Sequence, residues 1–437
     1  MFADVSFPIS SYQTFSYKVP KVLKEQVAIG VRVKVPFGNR KAQGIVVGIQ
    51  KTTEFKGKIS EIESLIDNQP VLNENLWSLI KWLSEYYYTP LGIAAKVVLP
   101  ANLSTKYKPK NQLFVKAISK ENPLFKRAKA QKAVYDYLVS VNELVSVQSL
   151  NALSSNSTSI CKKLATKGLV YLEEKPIIPD LTRLAFNPIN KKIRLTRHQN
   201  KALEKMTNAM DNNSFKPFLL HGVTGSGKTE IYIEAARHAI KQNKTVILLL
   251  PEIALTPQIA GRFQAAFGED VALWHSKLSQ SARAWTWKQI CEGIFKVIIG
   301  ARSAIFAPLK NLGLIIVDEE QESSYKQEST DPRYHARDVA LMRGKIHNAT
   351  VVLASATPSM ESYYNQIHGK FNYIHLTERF GQAKYPQVHV VDMMKESEET
   401  DIYGGIFSRL LLNKIQDRLD KKEQVILFHN RRGLAES

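Results

Sequence analysis

Between residues 190 and 390 the chain repeats one pattern, a short run with no polar position followed by a stretch long enough for a helix. The runs are Phe218-Leu-Leu220, Val246 to Leu250, Val271 to Leu273, Val297 to Ile299, Leu314 to Val317 and Val351 to Leu353. A strand that faces water on one side alternates apolar and polar residues. A strand apolar at successive positions is covered on both sides, so these runs predict a parallel sheet flanked by helices. Ligands in such a sheet bind beyond the carboxyl ends of its strands. The chemistry is therefore expected just after each run.

The first run leads into Gly222-Val-Thr-Gly-Ser-Gly-Lys-Thr229, a phosphate-loop pattern between a strand and a helix beginning near Glu230. Gly222, Gly225 and Gly227, with Thr224 and Ser226 between them, let the backbone curl so that its N–H groups face phosphate oxygens. Lys228 is placed to reach the β- and γ-phosphates of ATP, and the Thr229 hydroxyl to ligate Mg²⁺. The run Leu314-Ile-Ile-Val-Asp-Glu-Glu320 puts acids at the exit of a second strand: Asp318 is suited to hold Mg²⁺, and Glu319 to take a proton from attacking water. Ser355-Ala-Thr-Pro-Ser359 follows a third strand, 37 residues after Asp318, and completes the order expected of a superfamily 2 helicase. Upstream, Gln199 in Leu195-Thr-Arg-His-Gln199 is placed to read an adenine edge.

A nucleic-acid track is expected from other strand exits. Thr256, in Pro251-Glu-Ile-Ala-Leu-Thr-Pro-Gln258, and Arg302, in Gly300-Ala-Arg-Ser303, are candidate backbone contacts. The loop from Gln321 to His335 carries Tyr325, Lys326, Arg333, Tyr334 and His335, which pair stacking rings with cations beside the hydrolytic acids. His335 has no second ligand at metal spacing. Trp274, Trp285 and Trp287 fit core as well as they fit a DNA platform.

The chain's 437 residues suggest about three domains. Its 60 Lys and Arg against 40 Asp and Glu, a formal +20, suit a polyanionic partner. Cys161 and Cys291 are its only cysteines, too few for a disulfide framework or a thiolate zinc site. No apolar run approaches the roughly 20 residues needed to span a bilayer, and the N-terminus lacks a signal pattern, so a cytoplasmic protein without a membrane partner is expected.

The expected organisation has four parts. Residues 1–105 form a small β-rich module in which Val31, Val33 and Val35 alternate with Arg32 and Lys34, Pro36-Phe-Gly-Asn39 turns, and Gly44-Ile-Val-Val-Gly48 answers. Arg32, Lys34, Arg40 and Lys41 could face a phosphate backbone or simply solvent. Residues 106–178 suggest a winged helix, with Val134, Tyr135 and Leu138 on one helix, Ile160 and Leu164 on another, and Leu169-Val-Tyr-Leu172 as the wing. Pro176 to Pro188 reads as a linker. Residues 190–390 form the P-loop lobe, and 391–437 open a second lobe, because Gln424-Val-Ile-Leu-Phe428 reads as a buried strand.

Taken together, Pro251 to Gln258, Trp274-His-Ser276, Gly300 to Pro308, Asp318-Glu-Glu320, Ser324-Tyr-Lys-Gln327, Arg333-Tyr-His-Ala-Arg-Asp338 and Ser355-Ala-Thr-Pro358 resemble the primosomal protein N′ family of replication-restart helicases. Val33-Lys-Val-Pro-Phe-Gly38, Tyr86-Tyr-Tyr-Thr-Pro-Leu-Gly92 and Phe428-His-Asn-Arg-Arg-Gly433 extend the resemblance over essentially the whole chain. It implies a β-rich N-terminal domain, a winged helix, a RecA-like α/β P-loop lobe and the start of a second lobe. It implies a 3′-to-5′ ATP-driven DNA helicase that recognises abandoned replication forks and helps assemble a primosome. Phe15 and Ser16 would then lie in a pocket for a DNA 3′ end. Forked and single-stranded DNA, single-stranded-DNA-binding protein, and primosome and helicase-loader proteins are the implied partners of a nucleoid-associated monomer.

Three departures stand out. Ser16 takes the place of a common Asp, and Gln321 the place of a common His. The cysteines that would bind two Zn²⁺ in the family's second lobe are absent from this chain. Another superfamily 2 translocase, or a non-catalytic fork-binding protein in which the loop is a nucleotide-gated scaffold, are the alternative readings.

Overall fold

The computed structural model describes residues 1–53, 55, 57–67, 70–100, 103, 111–118, 128–176, 194–251, 257–276, 278–378, 387–400 and 406–428. Thr256, the stretch 177–188 and the segment after Phe428 lie outside these residues. The chain divides into Met1–Phe380 and Gly381–Ser437.

The first unit opens with an antiparallel sheet of β1 (Phe2–Ser6), β2 (Phe15–Lys18), β3 (Arg32–Phe37), β4 (Arg40–Gln50) and β5 (Ser64–Leu65), in the order β2-β1-β4-β3-β5. The hairpin read from the valine alternation is present, with Phe37 opposite Arg40. Val31, Val33 and Val35 are fully buried, and Lys34 between them is exposed. Two helices follow, α1 (Glu74–Tyr86) and α2 (Leu91–Val98). Asn73 caps α1 by accepting the Leu76 N–H at 2.8 Å, a capping bond worth about 1 kcal/mol. Leu76, Leu79, Ile80 and Leu83 lie on its buried face, as their spacing requires.

A second antiparallel sheet joins β6 (Asn111–Ala117), β7 (Val145–Ser146) and β8 (Val170–Pro176) in the order β7-β6-β8, packed by α3 (Lys129–Val141) and α4 (Ser157–Thr166). Val134, Tyr135, Leu138, Ile160 and Leu164 make its core.

The large sheet is wholly parallel. Following α5 (Arg197–Asp211), its strands are β9 (Lys216–Gly222), β10 (Thr245–Leu249), β11 (Val271–Trp274), β12 (Val297–Gly300), β13 (Leu312–Asp318), β14 (Thr350–Ser355) and β15 (Asn372–Leu376). Their order is β11-β12-β10-β13-β14-β9-β15. The connecting helices are α6 (Lys228–Lys241), α7 (Pro257–Phe267), α8 (Gln280–Glu292), α9 (Ala336–His347) and α10 (Met360–Ile367). Successive residues of one strand feed opposite cores: Val246, Leu248, Leu314 and Ile316 face α5 and α6, and Ile247, Leu249, Ile315 and Val317 face α8 and α9. This explains the wholly apolar runs. The six expected strands form, and β15 is a seventh whose alternating Asn-Tyr-Ile-His-Leu lacks that signature because only one of its faces is covered: Ile374 and Leu376 are buried, and Tyr373 and His375 beside them are not.

The core on the α9 side is continuous with the N-terminal module. Leu76, Leu79, Ile80 and Leu83 of α1 belong to the same buried cluster as Val339 and Ala340 of α9.

In the second unit, α11 (Met393–Thr400) and α12 (Arg409–Asp420) are tied by Glu396, which accepts from the Arg409 backbone N–H at 2.6 Å and from its Nε at 3.0 Å. The buried strand expected at residues 424–428 is not formed. Its side chains are exposed and no strand pairs with it among the described residues, so its backbone groups have no ladder to join.

Candidate functional site

Strand β9 delivers the chain into the turn at residues 222–229, which α6 ends by beginning at Lys228. Gly227 sits at φ +78° as the N-cap, and a Cβ there would lie 2.3 Å from Gln199 Nε2, so only glycine fits. Lys228 Nζ donates to the Gly222 carbonyl at 2.8 Å and stands 3.9 Å from Glu319. The lysine is thus folded back over its own loop. Ser226 Oγ is buried with no hydrogen-bond partner among the described residues, a donor suited to a phosphate oxygen.

Asp318 and Glu319 arrive from β13, the neighbour but one of β9 in the sheet. A cleft of about 550 Å³ is lined by residues 223–230, Ile259, Arg262, Asp318 and Glu319. The structure therefore brings together the loop and the acids chosen from sequence. Thr229 and Asp318 supply a hydroxyl and a carboxylate, the hard oxygen donors Mg²⁺ favours. Burial raises the Asp318 pKa, and the Tyr232 hydroxyl, donating to Asp318 Oδ1 at 2.8 Å, opposes that rise. Glu319 holds φ +47°, a left-handed conformation that is rare outside glycine and asparagine and that clusters at working sites.

Several contributors escaped the sequence reading. Tyr232 lies one helical turn after Lys228, and that spacing was a usable signal. Arg262 of α7 reaches the cleft rim and pairs with Glu230. Glu320, fully buried, accepts from the Ser359 N–H at 2.7 Å, from Ser362 Oγ at 2.8 Å, from Ser359 Oγ at 3.1 Å and from Arg337 Nη1 at 3.3 Å. Gln321 donates to Glu319 at 3.0 Å and accepts from Ser355 Oγ at 2.6 Å. The acids and the Ser-Ala-Thr-Pro-Ser turn are thereby joined by two separate hydrogen-bonded links.

Gln199 is buried, its Oε1 accepting from Thr196 N–H at 2.8 Å and its Nε2 donating to the Ser226 carbonyl at 2.8 Å. It completes a capping box and braces the loop, geometry that leaves less of its amide for an adenine edge.

The expected stacking rings need correction. Tyr325 is fully buried and donates to the Asp318 carbonyl at 2.6 Å, and Tyr334 is 1% exposed against Phe306, its pKa pushed up to about 12 by burial. Neither ring has a face to offer a base. Both belong to the apolar cluster that also holds Phe306, Val317 of β13 and Val339 of α9, where burial of a large ring outweighs exposure. Lys326 and Arg333 are exposed, and Lys326 Nζ donates to the Arg333 carbonyl at 2.6 Å. His335 caps α9, its Nδ1 accepting from Arg337 N–H at 3.2 Å, and burial lowers its pKa. Arg302 donates to the Ser324 carbonyl at 3.4 Å and to that of Lys326, which fixes the loop's position. Trp274, Trp285 and Trp287 are buried core.

In the N-terminal module, Phe15 spends its ring on Phe7 and Phe37, at centroid distances of 5.6 and 5.2 Å. Ser16 Oγ donates to Asp4 at 2.7 Å. Arg32 is paired with Asp67 at 2.6 Å and Lys41 with Glu63 at 2.9 Å, whereas Lys34 and Arg40 are exposed.

The parallel sheet with its paired loop and acids defines a nucleotide-binding lobe of the P-loop class. A family model described as DEAD/DEAH box helicase matches residues 196–365, and one described as 3'DNA-binding domain (3'BD) matches residues 4–100. The chain is 40% identical to replication restart protein PriA of Chlamydia pneumoniae, over 99% of this chain and 58% of that protein. It is 34% identical to replication restart protein PriA of Bacillus subtilis, over 99% and 62%. By this homology it belongs to the PriA family. The chain spans about three fifths of the length of these relatives. No helix among the described residues is long and apolar enough to cross a membrane.

Proposed function

We propose that this chain carries the nucleotide- and DNA-handling part of an ATP-dependent 3′-to-5′ DNA helicase that recognises abandoned replication forks and initiates primosome assembly. The observation that carries the reading is the single cleft shared by the loop at 222–229 and the acids Asp318 and Glu319. Homology to replication restart proteins along nearly the whole chain supports the fork-directed part.

In this reading the N–H groups of residues 224–229 and the start of α6 bind phosphate oxygens of ATP. Lys228 exchanges the Gly222 carbonyl for the β- and γ-phosphates. Thr229 and Asp318 would hold Mg²⁺, which supplies charge neutralisation at the phosphates. Tyr232 orients Asp318, and Glu319 accepts the proton of the attacking water. Gln321 and Ser355 link Glu319 to the β14 exit, so that hydrolysis and DNA-facing segments move together. Arg302, Lys326, Arg333, His335, Thr256 and Lys34 contact the DNA backbone, and Phe15 and Ser16 border the 3′-end site. Residues 106–178 act as a winged helix on fork DNA, and residues 391–437 begin the second lobe, whose continuation would carry two Zn²⁺. Single-stranded-DNA-binding protein and helicase-loader proteins are the partners of a cytoplasmic, nucleoid-associated monomer.

The test is Lys228→Ala in the complete protein. ATP-dependent unwinding should vanish while fork binding persists. Unwinding retained by this variant sinks the motor assignment.

A further inference from the structure

Helix α1 ends at Tyr86, Tyr87 is its C-cap, and Tyr88, the next residue, stands at φ +47°. Left-handed residues at helix ends are usually glycine, sometimes asparagine, because a β-carbon is strained there. This chain follows the rule elsewhere: α3 and α9 end on left-handed Asn142 and Asn348, and α8 on Gly293. Of the eight non-glycine residues at positive φ among those described, five are asparagine. A bulky tyrosine in this position is an outlier. Packing does not account for it, since Tyr88 is 86% exposed. Its carbonyl is held by the hydroxyl of Tyr12, itself 69% exposed.

Beside it, Tyr86 is 57% exposed and stacks on Trp82 at 4.9 Å with the planes 22° apart. Tyr87 turns inward, edge-on to Tyr86 at 4.9 Å, and its hydroxyl oxygen accepts the His335 N–H at 3.1 Å. Lys326 Nζ lies 5.7 Å from the Tyr87 ring centre. The side chain of Arg333, next to Lys326, is 68% exposed in a loose pair with Asp331 at 3.5 Å, which an anion would displace at little cost. Exposed tyrosines and two cations therefore flank Tyr87, where the N-terminal module meets the segment leading into α9. Rings for bases and cations for phosphates are the combination by which proteins hold unpaired nucleic acid.

We propose that Tyr12, Tyr86 and Tyr88 form a stacking platform for the bases of a single DNA strand, with Lys326 and Arg333 taking its phosphates. The assignment rests on the DNA-motor reading above and deepens it: the rings that meet the strand are those of the N-terminal module, and the buried Tyr325 and Tyr334 are not among them. The chain's formal charge of +20 and the two cations favour a polyanion over a protein segment as the occupant.

Tyr88→Asn tests the platform because asparagine accepts the left-handed turn, so the fold should gain stability while the platform loses a ring. Tyr86→Ala, at an exposed helical position, is the second variant. Binding of the full chain to a fluorescent oligothymidylate is compared with binding to an abasic strand of equal length. Each variant should lose about 5- to 150-fold in affinity for the thymidylate, the range of one base stacked on one ring. Affinity for the abasic strand should not change. Undiminished thymidylate binding in both variants, or an equal loss on the abasic strand, overturns the platform. Failure of the unaltered chain to bind either strand removes the DNA reading and the platform with it, an outcome distinct from the other two.

Discussion

Glu320→Gln keeps the shape of the buried side chain and removes its charge. In the native arrangement one carboxylate oxygen receives the Ser359 N–H, and the other receives Arg337 and the hydroxyls of Ser359 and Ser362. Glutamine must point its NH₂ at one of these groups. The Ser359 N–H cannot reverse, so the amide oxygen stays there and the NH₂ faces Arg337. The two hydroxyls can rotate to accept, but the guanidinium cannot. Breaking a buried ion pair on one side costs about 3–5 kcal/mol. Arg337 keeps Asp338 at 3.3 Å and the exposed Glu361 at 3.8 Å, so the loss should fall nearer that of one charged hydrogen bond, about 2–3 kcal/mol. For a lobe of about 200 residues this lowers the thermal midpoint by about 4–12 °C. Because Ser359 also caps α10, accepting from Ser362 N–H at 3.2 Å, the turn after β14 loosens as well. DNA-stimulated ATP turnover by the complete protein should then fall at least about 10-fold, while nucleotide affinity, assigned by the proposal to the loop, changes little. Differential scanning fluorimetry and a steady-state ATPase titration read the two effects. Native stability together with native turnover in Glu320→Gln would refute the claim that this carboxylate ties the acids to the Ser-Ala-Thr-Pro-Ser turn.

Two further predictions follow from burial. Tyr334→Ala should cost about 3–5 kcal/mol of stability, as for other buried rings, and leave the DNA affinity of the folded protein unchanged; a stable variant with weakened DNA binding would restore Tyr334 as a contact. His347, pushed down to about 3 by burial with Arg343 adding to the shift, accepts from Asn75 across the α1–α9 contact. Its unfolded value is about 6.5, so between these two values the unfolded chain binds the extra proton and stability falls as pH falls. Unfolding midpoints should decline from about pH 6.5 towards pH 5, above the range where most carboxylates titrate, and His347→Gln should flatten that slope. An unchanged slope would show that His347 does not set it.

What the sequence revealed followed from local geometry. The phosphate loop and Asp318 with Glu319 are fixed by strand exits, and six apolar runs marked six strands because a doubly covered strand has no polar face. Edge strand β15 was missed for the converse reason. Tyr325 and Tyr334 were misread because a ring beside a cation in a polar stretch looks like a platform, and only the tertiary fold shows that both join the buried cluster. At residues 424–428 the apolar run indicated burial, yet a strand depends on a partner elsewhere in the chain, and local composition does not report one. Glu320 and Arg337 stood in plain view, 17 residues apart, but their meeting depends on how α9 returns along β13.

The single core shared by α1 and α9 bears on how this protein can be handled and how its family could have diversified. A lobe cut out after residue 105 would lose Leu76, Leu79, Ile80 and Leu83 from the flank of α9 and expose an apolar surface there, a recipe for aggregation. The front module is consequently no detachable accessory. Domain shuffling would have had to exchange it together with the lobe or resurface α9 first.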